Sequence, residues 1–397
     1  MTYLIDDEEH KNVGKVLKSG ILERYVNPED SFVHRFESEF SNYLGTSECL
    51  AVSSGTAALI CCLRSLNLSS GDEVLMPCHT YIATALAVVA VGCIPIMVNI
   101  DSSFTVDIDE LAKNITPRTK AIIAVHMHGF PCNMESLMKL AKKRNLLVIE
   151  DVAQAAGGTF KEKKLGSIGD IGAFSFNHYK VISCGEGGAV SSNVKAYVEK
   201  SKYFHHGGLV FEEHTQQRGY KSNCLGQNYR LPEVSGAILC AQIQKLDIFI
   251  KNLRSQRNKI LDFLCSNKQI HFKTNQLHDI NGDCARYVFL ILENEGEAKR
   301  IIRSLKSEGY DSMWGVSKGH FAKYWVDILN DADYFTKLGT HIMLKKKVKF
   351  SSDAWAKSER LLKKSVGIAI NPFWNEEDTD NLINTLENIL LRCHDEE

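Results

Sequence analysis

Leu147-Val148-Ile149-Glu150-Asp151-Val152-Ala153-Gln154-Ala155-Ala156-Gly157 reads as a short buried strand that ends in two acids. Its apolar start shows no polar alternation, as expected of a strand covered on both faces. Comparable runs surround it at 73–76, 94–100, 121–127, 173–176 and 189–191, with this one at 146–150. Helix-length segments at 56–66, 81–91 and 134–143 separate them. Apolar strands alternating with helices predict a mostly parallel sheet in an α/β fold. Ligands in such sheets collect at the carboxyl ends of the strands, where Asp151 would stand.

Working outward, residues 205–231 form a polar, Gly- and His-containing stretch without a period, read as a long functional loop. The segment 232–258 then reads as one long helix opened by Pro232. Beyond it come a strand at 287–292, a helix at 297–306, a strand at 366–370 and a last helix from about 375. The division expected is a large domain, 1–249, and a smaller α/β domain, 250–397.

Composition sets bounds on function. The chain has 397 residues, 44% hydrophobic and 24% charged, so disorder and coiled coil are excluded for the whole. Its 47 basic and 48 acidic residues leave a net charge of −1, with no global field for nucleic acid or an anionic membrane. The N-terminus is acidic where a secretory signal would be basic. The apolar stretch 82–100 is long enough to span a bilayer. Gly92 and Pro95 interrupt it, however, and it reads better as a buried helix followed by a buried strand. Twelve cysteines without a CxxC read as reduced residues of a cytoplasmic protein.

Three further segments carry chemistry. Ser53-Ser54-Gly55-Thr56 leads directly into an Ala/Leu-rich helix, whose free N–H groups suit a phosphate. An ordinary Ser N-cap is the plainer reading. Asp151 could hold a cationic group on a ligand, or merely cap the next helix. Lys180 follows Ser175-Phe176-Asn177-His178-Tyr179 and precedes the Gly-rich turn Cys184-Gly185-Glu186-Gly187-Gly188. Most such lysines are solvated, but a desolvated one forms Schiff bases with carbonyls. Together they supply a phosphate cradle, a carboxylate for a ring nitrogen and a Schiff-base lysine, the set that pyridoxal 5'-phosphate requires.

The ordered set SSGTAAL, ED-x-AQA, SF-x-x-x-K and GEGG, with Pro77-x-x-Thr80-Tyr81 and Gly226-Gln-Asn228-Tyr-Arg230-Leu, resembles the DegT/DnrJ/EryC1/StrS sugar aminotransferases. These are fold type I pyridoxal-phosphate enzymes with an aspartate-aminotransferase-like fold. The resemblance implies that Lys180 holds the cofactor covalently and then moves protons, while Asp151 pairs with the pyridine nitrogen. It implies that Gln154 bonds the ring hydroxyl, that Tyr81 stacks on the ring, and that Ser54, Gly55, Thr56 and Ser175 bind the phosphate. Asn228 would reach the phosphate site of a second subunit, which implies a homodimer with shared active sites. Some relatives carry His at the lysine position and dehydrate their substrates; Lys180 implies transamination from glutamate or glutamine to a keto or aldehyde sugar.

Specificity is carried by fewer signals. His126-Met127-His128-Gly129 places two imidazoles at i and i+2, which on a strand would face one way; without a third ligand no metal is expected. One is expected near the cofactor and the other in a buried hydrogen bond. His128, His205, His206, Arg230 and His320 are the expected substrate contacts, with Arg218 beside them and Trp314, Tyr324 and Trp325 around His320. Their chemistry suits an anionic sugar. The stretches at 126–129, 184–188 and 314–325 are most similar to the subgroup that aminates C8 of a 3-deoxy-octulosonate for lipopolysaccharide. A nucleotide-sugar or aminocyclitol aminotransferase, and a non-catalytic regulator on the same fold, are the alternatives.

Overall fold

The computed structural model describes residues 3–211, 218–220, 225–267, 272–330, 351 and 353–392. A seven-stranded sheet is built from β1 (Glu48–Val52), β2 (Glu73–Pro77), β3 (Ile94–Val98), β4 (Thr119–Val125), β5 (Leu147–Asp151), β8 (Ile171–Ser175) and β9 (Gly188–Ser192), in the order β1-β9-β8-β5-β4-β2-β3. Four of its pairings are parallel, and β9 runs antiparallel to both neighbours. A short antiparallel hairpin, β6 (Thr159–Phe160) and β7 (Lys163–Lys164), lies between β5 and β8 in the chain. The expected α/β fold with a mostly parallel sheet is therefore what the chain adopts. The strand β1 was not legible in the sequence. It is five residues long, buries Leu50, Ala51 and Val52, and takes its place in the sheet by pairing with β9, far along the chain.

Helices α1 (Asp7–Ser19), α2 (Phe32–Leu44), α3 (Gly55–Ser65) and α4 (Ile82–Ala90) precede or link these strands. The long apolar stretch thus resolves into α4 and β3. No helix among the described residues is long and apolar enough to cross a membrane. Phe36 and Phe40 of α2 pack on Phe174 and Phe176 at centroid distances of 4.9–5.5 Å. All four rings are fully buried. Each contributes about 1.5–3 kcal/mol by burial, and together they fix the end of β8 from which the Lys180 loop departs.

Three expectations need correction. The single helix over 232–258 is two, Glu233–Ile243 and Leu246–Ser266. The break falls where Gln242 and Lys245 turn to α1: Gln242 Nε2 donates to the Leu4 carbonyl at 2.7 Å, and Lys245 Nζ bonds Glu9 at 2.7 Å. The first helix is buried on nearly every side, whereas the second is amphipathic. The stretch 205–231 is not all loop, since β10 (Leu209–Phe211) pairs antiparallel with β11 (Arg218–Tyr220). The side chain of Arg218 lies outside the described part of the structure. Third, His126 and His128 do not share a strand face. Strand β4 ends at Val125, and His128 takes a left-handed backbone, φ 58°.

A four-stranded antiparallel sheet follows, made of β12 (Lys273–Thr274), β13 (Tyr287–Ile291), β14 (Ser312–Trp314) and β15 (Ser365–Ala369), in the order β12-β13-β15-β14. The segment after β14 is sewn to the turn after β2. Ala322 N donates to the Cys78 carbonyl at 2.8 Å, Thr80 N to His320 at 3.0 Å and Ile82 N to Gly319 at 3.2 Å. This brings His320 over the carboxyl edge of the large sheet.

Candidate functional site

Strands β1, β2, β4, β5 and β8 release their chains at one edge of the sheet, and the expected residues gather there. Alternation along β5 sends its two terminal acids to different tasks. Glu150 is fully buried and accepts from the amides of Gly166, Ile168 and Gly169 at 2.7–2.9 Å. It also accepts from His126 Nε2 at 3.1 Å, while Cys132 N donates to the other ring nitrogen. His126 is thus the imidazole with the buried hydrogen bond. Among the described residues no group of three or more His, Cys, Asp or Glu is placed to hold a metal ion.

Asp151 points into the site. Its Oδ2 accepts from Thr84 Oγ1 at 2.9 Å and its Oδ1 from Ala153 N at 3.1 Å. Thr84 in turn bonds Thr80 at 2.8 Å. Burial raises the Asp151 carboxyl above its usual range, against the opposing pull of those hydrogen bonds and of Lys180. An ionised carboxylate so placed is stabilised by a cation against it. Lone pairs remain on both oxygens for a protonated ring nitrogen.

The phosphate end can also be tested against the residues present. Ser54 caps α3, its Oγ accepting from Ala57 N at 3.1 Å, so the amides of Gly55 and Thr56 have no intrahelical acceptor. A Cβ on Gly55 would lie 2.7 Å from Ser175 Cβ, and one on Gly188 would lie 2.3 Å from the Ser54 carbonyl oxygen. A glycine-lined cradle between a helix N-terminus and a serine is what a phosphate fits. Thr56 is exposed there and Ser175 is buried.

Lys180 stands beyond β8 on a loop tied by Asn177, whose side chain accepts from Tyr179 N at 3.0 Å and whose carbonyl accepts from Lys180 N at 3.0 Å. Burial pulls its ammonium down to about 8; Arg286 adds to the fall, while Asp151 and Glu186 oppose it. The nucleophile is the neutral amine. Cofactor uptake by the cofactor-free protein should therefore quicken as pH rises through about 8 and level off above, with the visible band of added pyridoxal phosphate as the readout. A rate independent of pH between 7 and 9 would contradict a lysine desolvated in this way.

Gln154 accepts from His128 N through Oε1 at 3.0 Å, leaving its amide nitrogen as a donor. Tyr81 caps α4 with its ring half exposed and 5.5 Å from that of His320. His128 packs on Phe289 and Tyr287 at 5.0 and 5.3 Å and on His79 at 5.1 Å. Among the described residues the buried Nε2 atoms of His79 and His128 have no hydrogen-bond partner. Burial lowers all three imidazoles: His79 to about 3, His320 to about 4 and His128 well below the usual range. They are neutral at physiological pH.

His205, His206 and Arg230 form a second group around Tyr25. His205 is fully buried with both ring nitrogens engaged, by Tyr25 Oη at 2.9 Å and the Lys202 carbonyl at 2.5 Å. Arg230 donates to His206 Nδ1 at 3.0 Å, and its backbone bridges Val52 beside the Ser53 turn. Asn228 is exposed, its Oδ1 accepting from Arg230 N at 3.3 Å. Sequence reading missed Thr84, His79 and Arg286. Thr84 had a signal, since Thr80 and Thr84 stand four apart at a helix start; a lone Arg before a strand had none.

The model of the DegT/DnrJ/EryC1/StrS aminotransferase family matches residues 4–325. GDP-perosamine synthase of Escherichia coli O157:H7 is 38% identical over 231 residues, covering 58% of this chain and 62% of that protein. UDP-N-acetyl-3-dehydro-alpha-D-glucosamine 3-aminotransferase of Acidithiobacillus ferrooxidans is 42% identical over 212 residues, 53% of this chain and 56% of that one. The chain thus spans about six tenths of the length of these curated relatives. The crystallised aminotransferase of Psychrobacter cryohalolentis superposes with a TM-score of 0.84 at 25% identity, over 98% of both chains.

Proposed function

Since the chain belongs to the DegT/DnrJ/EryC1/StrS aminotransferase family of fold type I pyridoxal-phosphate enzymes, we propose that it moves an amino group from glutamate or glutamine to a keto or aldehyde sugar. The observation that carries this reading is the meeting of Lys180, buried Asp151 and the Gly55–Ser175 cradle at one sheet edge. The full set Lys180, Asp151 and Gln154 supports catalysis over a purely regulatory role.

Bound there, the cofactor supplies an electron-withdrawing ring that stabilises negative charge on the carbon losing its proton. Lys180 would anchor it and, as a neutral amine, would move a proton between the donor's Cα and the neighbouring carbon. Asp151 would keep the ring nitrogen protonated, and Thr84 holds that carboxylate in orientation. Gln154 would donate to the ring hydroxyl, and Tyr81 would offer the ring an aromatic face. Ser54, Gly55, Thr56 and Ser175 would hold the phosphate, and Asn228 of a second copy would complete that end in a homodimer. The chain divides at 249/250, the large domain holding the cofactor.

The acceptor is C8 of a 3-deoxy-octulosonate, in a cytoplasmic route to lipopolysaccharide or another surface polysaccharide. The stretches at 126–129 and 314–325 support it. A nucleotide-linked keto sugar is the second reading, favoured by the names of the curated relatives. Single-turnover assays with protein already loaded by L-glutamate separate the two. Amination of an 8-oxo-octulosonate is the result expected. Amination of GDP- or UDP-linked keto sugars alone would replace the first reading by the second, and amination of neither would refute both.

A further inference from the structure

Arg286 enters the site from the small sheet, immediately before Tyr287, the first residue of β13. The residue before it, Ala285, is fully buried in a left-handed backbone, φ 54°. A side chain at that φ is unfavourable, and such strain persists only where the surroundings impose it. Here Cys284 N donates to the Gly129 carbonyl at 3.0 Å, and Ile370 N to the Arg286 carbonyl at 2.9 Å. The bend carries the Arg286 side chain back to the lysine loop, where Nη1 donates to the Tyr179 carbonyl at 3.0 Å, one residue before Lys180.

Among the described residues no carboxylate lies within ion-pair distance of this guanidinium. Its charge is felt by both Lys180 and His128. Of the acids acting on Lys180, Asp151 is already bonded by Thr84 and Ala153. Two cationic side chains, Lys180 and Arg286, and three neutral imidazoles thus meet here, with the engaged Asp151 and the exposed Glu186 as the carboxylates that act on Lys180. A guanidinium has five N–H donors in a planar fork; among the described residues that of Arg286 makes one hydrogen bond and lies 5.8 Å from the centroid of the Tyr287 ring. A cation left beside another cation is favourable once an anion enters between them. The planar fork matches a carboxylate in shape.

We infer that Arg286 is a specificity-determining residue that receives a carboxylate of a substrate entering the Lys180 pocket. This rests on the aminotransferase reading. The carboxylate is that of the amino donor or that of an acidic sugar acceptor, two sources with one chemistry. Neither requires a change in the roles of Lys180 or Asp151.

The test uses cofactor-loaded wild-type protein and the Arg286→Ala and Arg286→Lys variants. Two unreactive probes are titrated by calorimetry: glutarate, which resembles the donor without its amine, and D-gluconate, a sugar acid. Arg286→Ala is expected to weaken one of them by about 10- to 100-fold, the range for losing a charge-assisted pair, while Arg286→Lys keeps part of the affinity. Loss of glutarate assigns the donor, and loss of gluconate the acceptor. Equal binding of both probes to wild type and Arg286→Ala overturns the inference, as does wild-type protein that binds neither. The band of wild-type protein is recorded with L-glutamate and L-glutamine first. If neither amino acid bleaches it, the aminotransferase reading itself fails; bleaching with unchanged probe binding in Arg286→Ala removes only the arginine assignment.

Discussion

Lys180→Ala protein is expected to take up no pyridoxal phosphate covalently and to lose turnover by more than about 10⁴-fold. Two functions fall together in this substitution. The amine is the group that would anchor the cofactor, and it is the base that would move the proton between the two carbons. A positioned general base alone contributes about 10²–10⁴-fold, and loss of the anchor adds to that. Fold stability should change little. The side chain is only half-buried, and its loop is held by backbone bonds from Asn177 and Gly185 that alanine keeps. Mass spectrometry after borohydride treatment reads the anchor directly. A cofactor adduct in Lys180→Ala protein, or turnover within tenfold of wild type, would remove Lys180 from its assigned place.

Asp151→Asn should retain the cofactor yet slow the reaction by about 10³-fold, as expected when a preorganised charge facing the developing charge is lost. An amide is nearly isosteric: its one oxygen can still accept from Ala153 N while its Nδ2 donates to Thr84 Oγ1, so the pocket should keep its shape. What it cannot do is hold a proton on the ring nitrogen by opposite charge. Asp151→Glu should recover some rate, because the charge returns at a displaced position. Equal rates for Asp151→Asn and wild type would mean that the carboxylate serves only to cap the turn after β5. Its burial argues against that plain role, since an exposed cap would do the same at less desolvation cost.

Much of this site lies in short local segments, which is why it could be read from the chain. Asp151 follows Glu150 at the end of the apolar run Leu146–Ile149, Ser54 opens an Ala/Leu-rich helix, and Lys180 stands between a strand end and a glycine turn; each signal fits within about ten residues. What escaped depends on partners distant in sequence. Strand β1 exists by pairing with β9, some 140 residues later. The left-handed turn at His128 answers to contacts with Gln154 and Cys284. Lys245 breaks a helix that periodicity alone would continue, because Glu9 of α1 lies within reach. Arg286 shows the same limit at the site itself. Its meaning comes from Tyr179 and Lys180, more than a hundred residues away, and from a strained alanine that composition does not mark.

Roles and placement separate in one group. His205 was expected to touch substrate, yet both of its ring nitrogens are engaged by Tyr25 and Lys202. His128 and His320 instead stand with Tyr81 over the sheet edge. A histidine count alone does not distinguish these cases; the hydrogen-bond partners do.

The most direct measurement is the visible absorption spectrum of the purified protein with pyridoxal phosphate, before and after L-glutamate or L-glutamine. A yellow band that forms with wild-type protein, is absent in Lys180→Ala and is bleached by one of the two amino acids is the result expected. No band with wild-type protein, or a band that neither amino acid changes, would contradict an aminotransferase built on Lys180 and Asp151.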